Sequence, residues 1–177
     1  MEEKPKSIAM NGIYYGVIGA AAMIIFSLII YLVDLHLNSS VIWISYLFLI
    51  GAIVWGTIDY RNKVLNGFMS YGKAFSTSFM IALFAVIIVS IYSFIFFQFI
   101  APDAVVDLAE MGTDRIIEDN PDISEEDLDQ AIQMSSFMYT PVWLTVRGLV
   151  AQLVVSVVIS LITSIFIKKE DKSVTSI

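Results

Sequence analysis

Residues 74–100, AFSTSFMIALFAVIIVSIYSFIFFQFI, decide the fold of this chain. The stretch contains no Asp, Glu, Lys, Arg or His over its 27 residues. A helix rises about 1.5 Å per residue, so this stretch is longer than the roughly 30 Å of hydrocarbon in a bilayer. The sequence therefore predicts a transmembrane helix that tilts or projects beyond the hydrocarbon core.

Three further uncharged runs cover residues 13–33, 41–58 and 148–167. The chain of 177 residues is 58% hydrophobic and 15% charged, with a mean hydropathy of +0.80, whereas soluble domains average about 25% charged residues. We therefore expect an all-α fold, an integral membrane four-helix bundle that forms a single membrane domain over residues 1–177. A short acidic, partly helical extracytoplasmic insert, residues 101–138, separates the third and fourth spans.

The orientation follows from the basic residues. Eight of the ten fall on one side of the predicted membrane: Lys4, Lys6, Arg61, Lys63, Lys73, Lys168, Lys169 and Lys172. Only Arg115 and Arg147 fall on the other side. Because cytoplasmic segments carry the excess of Lys and Arg, both termini and the loop between the second and third spans are predicted to be cytoplasmic.

The insert is strongly acidic but patterned. It carries eleven carboxylates: Asp103, Asp107, Glu110, Asp114, Glu118, Asp119, Asp122, Glu125, Glu126, Asp127 and Asp129. The sequence predicts two short amphipathic helices joined between Gly112 and Pro121, the second opened by a capping-box pattern at Ser124. The carboxylates are either a site for a cation or basic partner, or a solvated face. An EF-hand loop starting at Asp119 would place Pro121 and Ser124 at its third and sixth positions, which the template does not allow, so the solvated face is favoured.

Small residues recur every four positions in the first and fourth spans. The two sets are Gly12, Gly16 and Ala20, and Gly148, Ser156, Ser160 and Ser164, with Gln152 in the second series. Such stripes allow helices to approach closely, and serine or glutamine adds interhelical hydrogen bonds. A transport pathway produces the same pattern, although packing is its commoner cause.

Only a few polar residues within or beside the spans are candidates for a functional role. Gln98 and Gln152 either line a cavity or bond to a neighbouring helix. The deep parts of the four spans lack ionisable residues, which argues against a proton-coupled pump or an intramembrane hydrolase. Arg147, at the membrane edge, is predicted either to dock the insert through a salt bridge or to reach the headgroups.

The loop over residues 59–75 combines glycine, aromatic and basic residues, including Arg61 and Lys73. It either recognises anionic headgroups or a cytosolic partner, or is a positively charged loop with an aromatic belt. The second interpretation is favoured.

Several short motifs together resemble the DUF4199 family across nearly the whole chain. They are Tyr60-Arg61, Gly67 followed by Ser70-Tyr71-Gly72-Lys73-Ala74-Phe75, Ala101-Pro102-Asp103 and the lysines after the fourth span. The resemblance implies a four-span bacterial inner-membrane protein, mainly of Gram-negative species, with no established activity. It implies no catalytic residues, and Lys73 stands where a polar residue such as glutamine is expected in many members.

The sequence lacks the motifs of an enzyme. It has no G-x-S-x-G, H-E-x-x-H or P-loop motif, no cysteine, and one histidine, His36, so we expect no catalysis, cofactor or metal. We expect a structural or accessory component that contacts membrane lipids, and either a second copy of itself or another membrane protein, but no nucleic acid. The alternative is a small transporter or channel in which Gln98, Gln152, Ser156 and Ser160 line a path.

Overall fold

The computed structural model describes residues 7–35 and 38–169, so the predictions that concern Lys4, Lys6, His36 and Lys172 lie outside the described residues. The described chain forms six α-helices: α1 (Ile8–Leu32), α2 (Ser39–Lys63), α3 (Tyr71–Ile95), α4 (Asp103–Asp119), α5 (Glu125–Ser135) and α6 (Pro141–Ile167). A π-helical turn (Phe96–Ile100) extends α3, and a 3₁₀ turn (Ser136–Tyr139) precedes α6. Four of these helices, α1, α2, α3 with its π turn, and α6, are long and apolar enough to cross a membrane, and they form the all-α membrane bundle that the sequence predicted.

The helices extend beyond the uncharged runs from which they were predicted. The fourth helix begins at Pro141 rather than at Gly148, and the second continues through Arg61 to Lys63. Polar and charged residues are compatible with a helix wherever it leaves the hydrocarbon, so hydropathy marks the apolar part of a helix and misses its ends. Capping side chains fix those ends. Thr140 accepts from Trp143 N at 3.3 Å before α6, and Ser7 accepts from Met10 N at 3.1 Å before α1.

The bundle is arranged around α3. Helix α1 packs on α2 and α3, while α6 packs on α3 and, less extensively, on α2. We call the end that carries residues 64–70 and Lys169 the loop end, and the opposite end, where α4 lies, the insert end.

Small side chains are prominent in the interior, and many large apolar side chains lie on the surface. Ala20, Ala82 and Ala85 are fully buried in the central cluster, whereas Leu47 is 64% and Phe166 is 81% exposed. This distribution suits a bilayer, in which lipid solvates large apolar groups and helices associate through close packing of small residues.

The glycine stripe of α1 is a packing surface. A Cβ on Gly16 would lie 2.8 Å from Phe84 Cβ and 3.0 Å from the carbonyl oxygen of Ile81, both on α3. One turn earlier, a Cβ on Gly12 would lie 3.1 Å from the backbone of Met80. The absence of side chains at these two positions therefore sets how closely α1 approaches α3.

The insert differs from its prediction in one respect. The predicted linker beginning at Gly112 is wrong, because α4 runs without interruption to Asp119 and the break falls at residues 120–124. Gly112 serves packing instead: a Cβ there would overlap the hydroxyl of Tyr139. The predicted cap of α5 is confirmed, since Ser124 Oγ accepts from Asp127 N at 3.2 Å.

Candidate functional site

A cavity of about 240 Å³ lies within the bundle at the insert end. Residues of α1, α2, α3 and α6 form its walls, and Ala104 and Leu108 of α4 lie over it. Most of its lining side chains are apolar, and none carries a charge. We call this space the insert cavity.

Six polar side chains of the four long helices line the insert cavity: Ser27, Tyr31, Ser45, Tyr92, Ser93 and Gln152. In the described chain, Gln152 Oε1 and Tyr92 Oη are buried without a hydrogen-bond partner, although Ser27 stands beside the Tyr92 hydroxyl. A buried polar atom without a partner costs free energy, typically about 1–3 kcal/mol. Because two such atoms face one space, a polar group bound in that space would satisfy both of them.

A second cavity, also of about 240 Å³, lies between α3 and α6. It shares Ser93, Phe97, Leu108 and Gln152 with the insert cavity and reaches Arg147 at its edge. The side chain of Gln152 therefore lies between two spaces, and its position is the centre of the candidate site.

The wall of the insert cavity contains the irregular part of α3. The amide of Ala101 donates to the carbonyl of Phe96 at 2.8 Å, which closes a π turn, and both Phe96 and Phe97 line the cavity. Isolated π turns within helices are uncommon and occur frequently at functional sites. Here the turn widens the helix where it forms the cavity wall.

Helix α4 is held over the cavity by side chains from other elements. The hydroxyl of Tyr31, near the end of α1, lies 3.0 and 3.1 Å from the two carboxylate oxygens of Asp103 and donates to that group. Further along α4, Gly112 receives the ring of Tyr139. The first turn and the middle of α4 are thus both fixed to the bundle.

Of the two roles considered for Arg147, the structure does not show the salt bridge to the insert. This arginine is exposed, and it makes no ion pair with the insert residues that the structure describes. Asp103 instead bonds to Tyr31, from a helix that the charge pattern did not connect with the insert. The guanidinium of Arg147 remains at the rim of the second cavity.

The serines of α6 lie beyond the cavities. Ser156, Ser160 and Ser164 have no exposed surface, and none of them lines either cavity. Ser164 Oγ donates to the carbonyl of Ser160, whereas Ser156 Oγ and Ser160 Oγ have no partner among the described residues. This part of the stripe therefore lies in a tight helix contact.

The other predicted site residues lie apart from one another. Gln98 is exposed in the π turn and lines neither cavity, so the structure does not bring it together with Gln152. Arg61 Nη1 donates to the carbonyl of Ile167 at 2.9 Å, at the end of α6. Lys73 is exposed at the start of α3.

Sequence reasoning missed Tyr31, Tyr92 and Ser27 as members of the site. One signal was available: Ser27 and Tyr31 are four residues apart, so they share a face of α1 near its end. Among the carboxylates of the insert and the other described residues, no group of three or more acidic, histidine or cysteine side chains is placed to hold a metal ion.

Comparison with known proteins places the chain in a family. The model of a family described as a protein of unknown function, DUF4199, matches residues 14–169. No curated protein and no solved structure gives a match. The matched region begins within α1 and ends at Lys169, so it contains most of α1, the other three long helices, both cavities and the insert, and it confirms the resemblance seen in the sequence motifs. The chain belongs to the DUF4199 family.

Proposed function

We propose that this protein is an accessory membrane component, which acts through the surfaces it presents rather than by moving a solute across the bilayer. The observation that carries the proposal is the burial of Ser156 and Ser160. Both lie on the polar stripe of α6 that continues from Gln152 towards the loop end, and neither has any exposed surface.

A transport pathway needs polar, hydrated groups from one side of the membrane to the other. Both cavities reach Gln152, but Ser156, one turn further, lines neither of them. Beyond it, Thr57 Oγ1 and Ser78 Oγ are buried 3.0 Å apart and satisfy each other across α2 and α3. The bundle is therefore better suited to holding a fixed shape than to opening a path.

The proposed orientation places both termini and the loop end in the cytoplasm of a bacterial inner membrane. It is supported by Arg61, Lys63, Lys168 and Lys169, which cluster at the loop end, and by the acidic residues of α4 and α5 at the insert end. In this orientation the large apolar side chains contact lipid, and the acidic insert faces a second copy of the chain or another membrane protein. We propose no catalytic activity and no nucleic-acid partner.

Cysteine accessibility tests the proposal, because the chain has no native cysteine. Single variants Ser156→Cys and Ser160→Cys change one atom and preserve the packing. We expect neither to react with a membrane-impermeant thiol reagent applied from either side. Glu118→Cys, on exposed α4, should react in intact cells, and Lys73→Cys, exposed at the loop end, only after the membrane is permeabilised.

Reaction at Ser160→Cys would overturn the accessory role and favour the transporter, since water would then reach the middle of the helix contact. Reaction of Lys73→Cys in intact cells would overturn the orientation alone. Reaction at Gln152→Cys from the insert side agrees with both the proposal and the geometry, because the cavities end there.

A further inference from the structure

We infer that the insert cavity binds a small neutral amphiphile, a molecule with a hydrocarbon body and one hydroxyl group. A medium-chain alcohol represents this chemical class. The inference goes beyond the accessory role, which holds whether or not the cavity is occupied.

The ligand must be neutral. The insert cavity has no Asp, Glu, Lys, Arg or His in its lining, and burying an ion without a countercharge is far more costly than burying a polar neutral group. Arg147 lies at the rim of the second cavity and does not line the first. Fatty acids and phosphate esters therefore do not suit this space.

The ligand must also carry a group that forms hydrogen bonds. Gln152 Oε1 and Tyr92 Oη lack partners among the described residues, and they come from α6 and α3, two different walls of the cavity. A hydroxyl both donates and accepts, so it satisfies the Gln152 side chain in either orientation of its amide.

The remaining lining requires a hydrocarbon body. Apolar side chains such as Met23, Val89 and Leu108 make up most of the wall, and an ordered water needs two to four polar partners. A cavity of about 150 Å³ holds benzene, so by scaling the 240 Å³ of the insert cavity suits about ten non-hydrogen atoms.

The structure supplies a means of entry. Helix α4 covers the cavity, and the Tyr31–Asp103 bond that fixes its first turn is exposed to solvent. The π turn at Phe96 gives the wall an irregular backbone where a ligand would pass. Both features lie on the insert side of Gln152.

Photolabelling of the full chain in lipid nanodiscs tests the inference. The probe is an octanol that carries a diazirine, the comparison is the same diazirine on octane, and the adducts are mapped by mass spectrometry. We expect saturable labelling of insert-cavity residues by the alcohol, competition by unlabelled octanol, and weaker labelling by the alkane.

Two glutamines of the same chain provide a matched pair of variants. Gln152→Leu removes the unpartnered amide and should lower the apparent affinity for the alcohol about tenfold, the value of one hydrogen bond. Gln98→Leu changes an exposed residue outside the cavity and should leave the affinity unchanged. If Gln152→Leu does not fold, Tyr92→Phe removes the other unpartnered group and gives the same test.

Three results would overturn the inference: labelling that does not saturate, equal labelling by alcohol and alkane, or equal affinity in Gln152→Leu and wild type. Adducts confined to the lipid-facing surface around Leu47 would assign the labelling to the bilayer and would also overturn it. None of these results changes the reaction of Ser156→Cys or Ser160→Cys with a thiol reagent, so the accessory role is tested separately.

Discussion

The two ends of the bundle differ in what surrounds their unpartnered polar groups. Towards the loop end some polar groups meet across helices, as Asn11 Nδ2 does with the carbonyl of Gly56 at 3.0 Å and Thr57 with Ser78. Others there, Asn11 Oδ1, Ser156 Oγ and Ser160 Oγ, are buried without a partner among the described residues, but they line neither cavity. At the insert end Gln152 and Tyr92 face a cavity without partners in the described chain. Unpartnered groups towards the loop end therefore lie in close helix contacts, whereas those at the insert end face an open space.

The difference begins with side-chain size. Glycine at positions 12 and 16 allows α1 to approach α3 closely, and Gly56 makes room for the side chains of Tyr15 and Ile81. At the insert end Phe96 packs against the rings of Tyr31 and Tyr92, and rigid rings hold the helices apart. Close packing and an internal cavity thus occupy different halves of the same four helices.

The largest expected effect comes from filling the close contact of the loop end. Gly16→Ala would place a Cβ 2.8 Å from Phe84 Cβ and 3.1 Å from the backbone nitrogen of Ala85. Because backbone cannot move as freely as a side-chain tip, we expect the free energy of unfolding to fall by about 1–3 kcal/mol. Unfolding in mixed micelles with increasing SDS measures it.

Gly51→Ala is the matched control, since a Cβ at this helical position has nothing within 4 Å. There the higher helix propensity of alanine is the main effect, and it should raise stability by about 0.5–1 kcal/mol. A similar loss of stability in both variants would show that the contact between α1 and α3 is not what Gly16 provides.

The second prediction concerns Arg61, which joins the end of α2 to the end of α6. The last carbonyls of a helix lack intrahelical partners, and a cation near them is favourable. Arg61→Met deletes the bond to the Ile167 carbonyl and should lower the free energy of unfolding by about 1–2 kcal/mol. Lys73→Met removes the same charge from an exposed position and should change it by less than about 0.5 kcal/mol; equal losses would mean that charge, not the bond, matters.

The backbone pairing that lies next to this bond could not have been predicted from the sequence. Met69 and Lys169 exchange two hydrogen bonds, of 2.8 and 2.9 Å, between the loop and the end of α6. No periodicity marks such a pairing, because it depends on where two distant segments meet. The sequence motif around residues 67–75 indicated that the region was distinctive without indicating that it contacts Lys169.

The fold itself was accessible from sequence because the bilayer imposes it. Uncharged runs of sufficient length must form helices there, which satisfy their own backbone groups, and the glycine stripe indicated a close contact. The candidate site was only partly accessible. Gln152 was identified as a polar group within a span, but the choice between cavity and packing depends on what α1 and α3 place opposite it, and Tyr92 carries no such signal in its spacing.

The third prediction concerns the cover of the insert cavity. Tyr31→Phe deletes the hydroxyl that donates to Asp103. The bond is exposed, so we expect only a small loss of stability, confined to the first turns of α4. Amide hydrogen exchange should therefore become faster by a few-fold near Val105 and Val106 and stay unchanged in α3.

Asp103→Asn distinguishes a hydrogen bond from a charge effect, because its amide oxygen still accepts from Tyr31. Exchange close to the wild-type rate in Asp103→Asn, together with faster exchange in Tyr31→Phe, assigns the docking to the bond. Unchanged exchange in Tyr31→Phe would mean that Gly112 and Tyr139 hold α4 without it.

The smallest predicted effects come from substitutions that compare a paired with an unpaired buried hydroxyl. A double-mutant cycle of Thr57→Val and Ser78→Ala should give a coupling free energy of about 0.6 kcal/mol, the average for interhelical bonds in a membrane. Ser156→Ala removes a buried hydroxyl that has no partner among the described residues, so it should be neutral or slightly stabilising. A clear destabilisation by Ser156→Ala would mean that its hydroxyl does bond to another group, and the paired region would then extend to within one turn of Gln152.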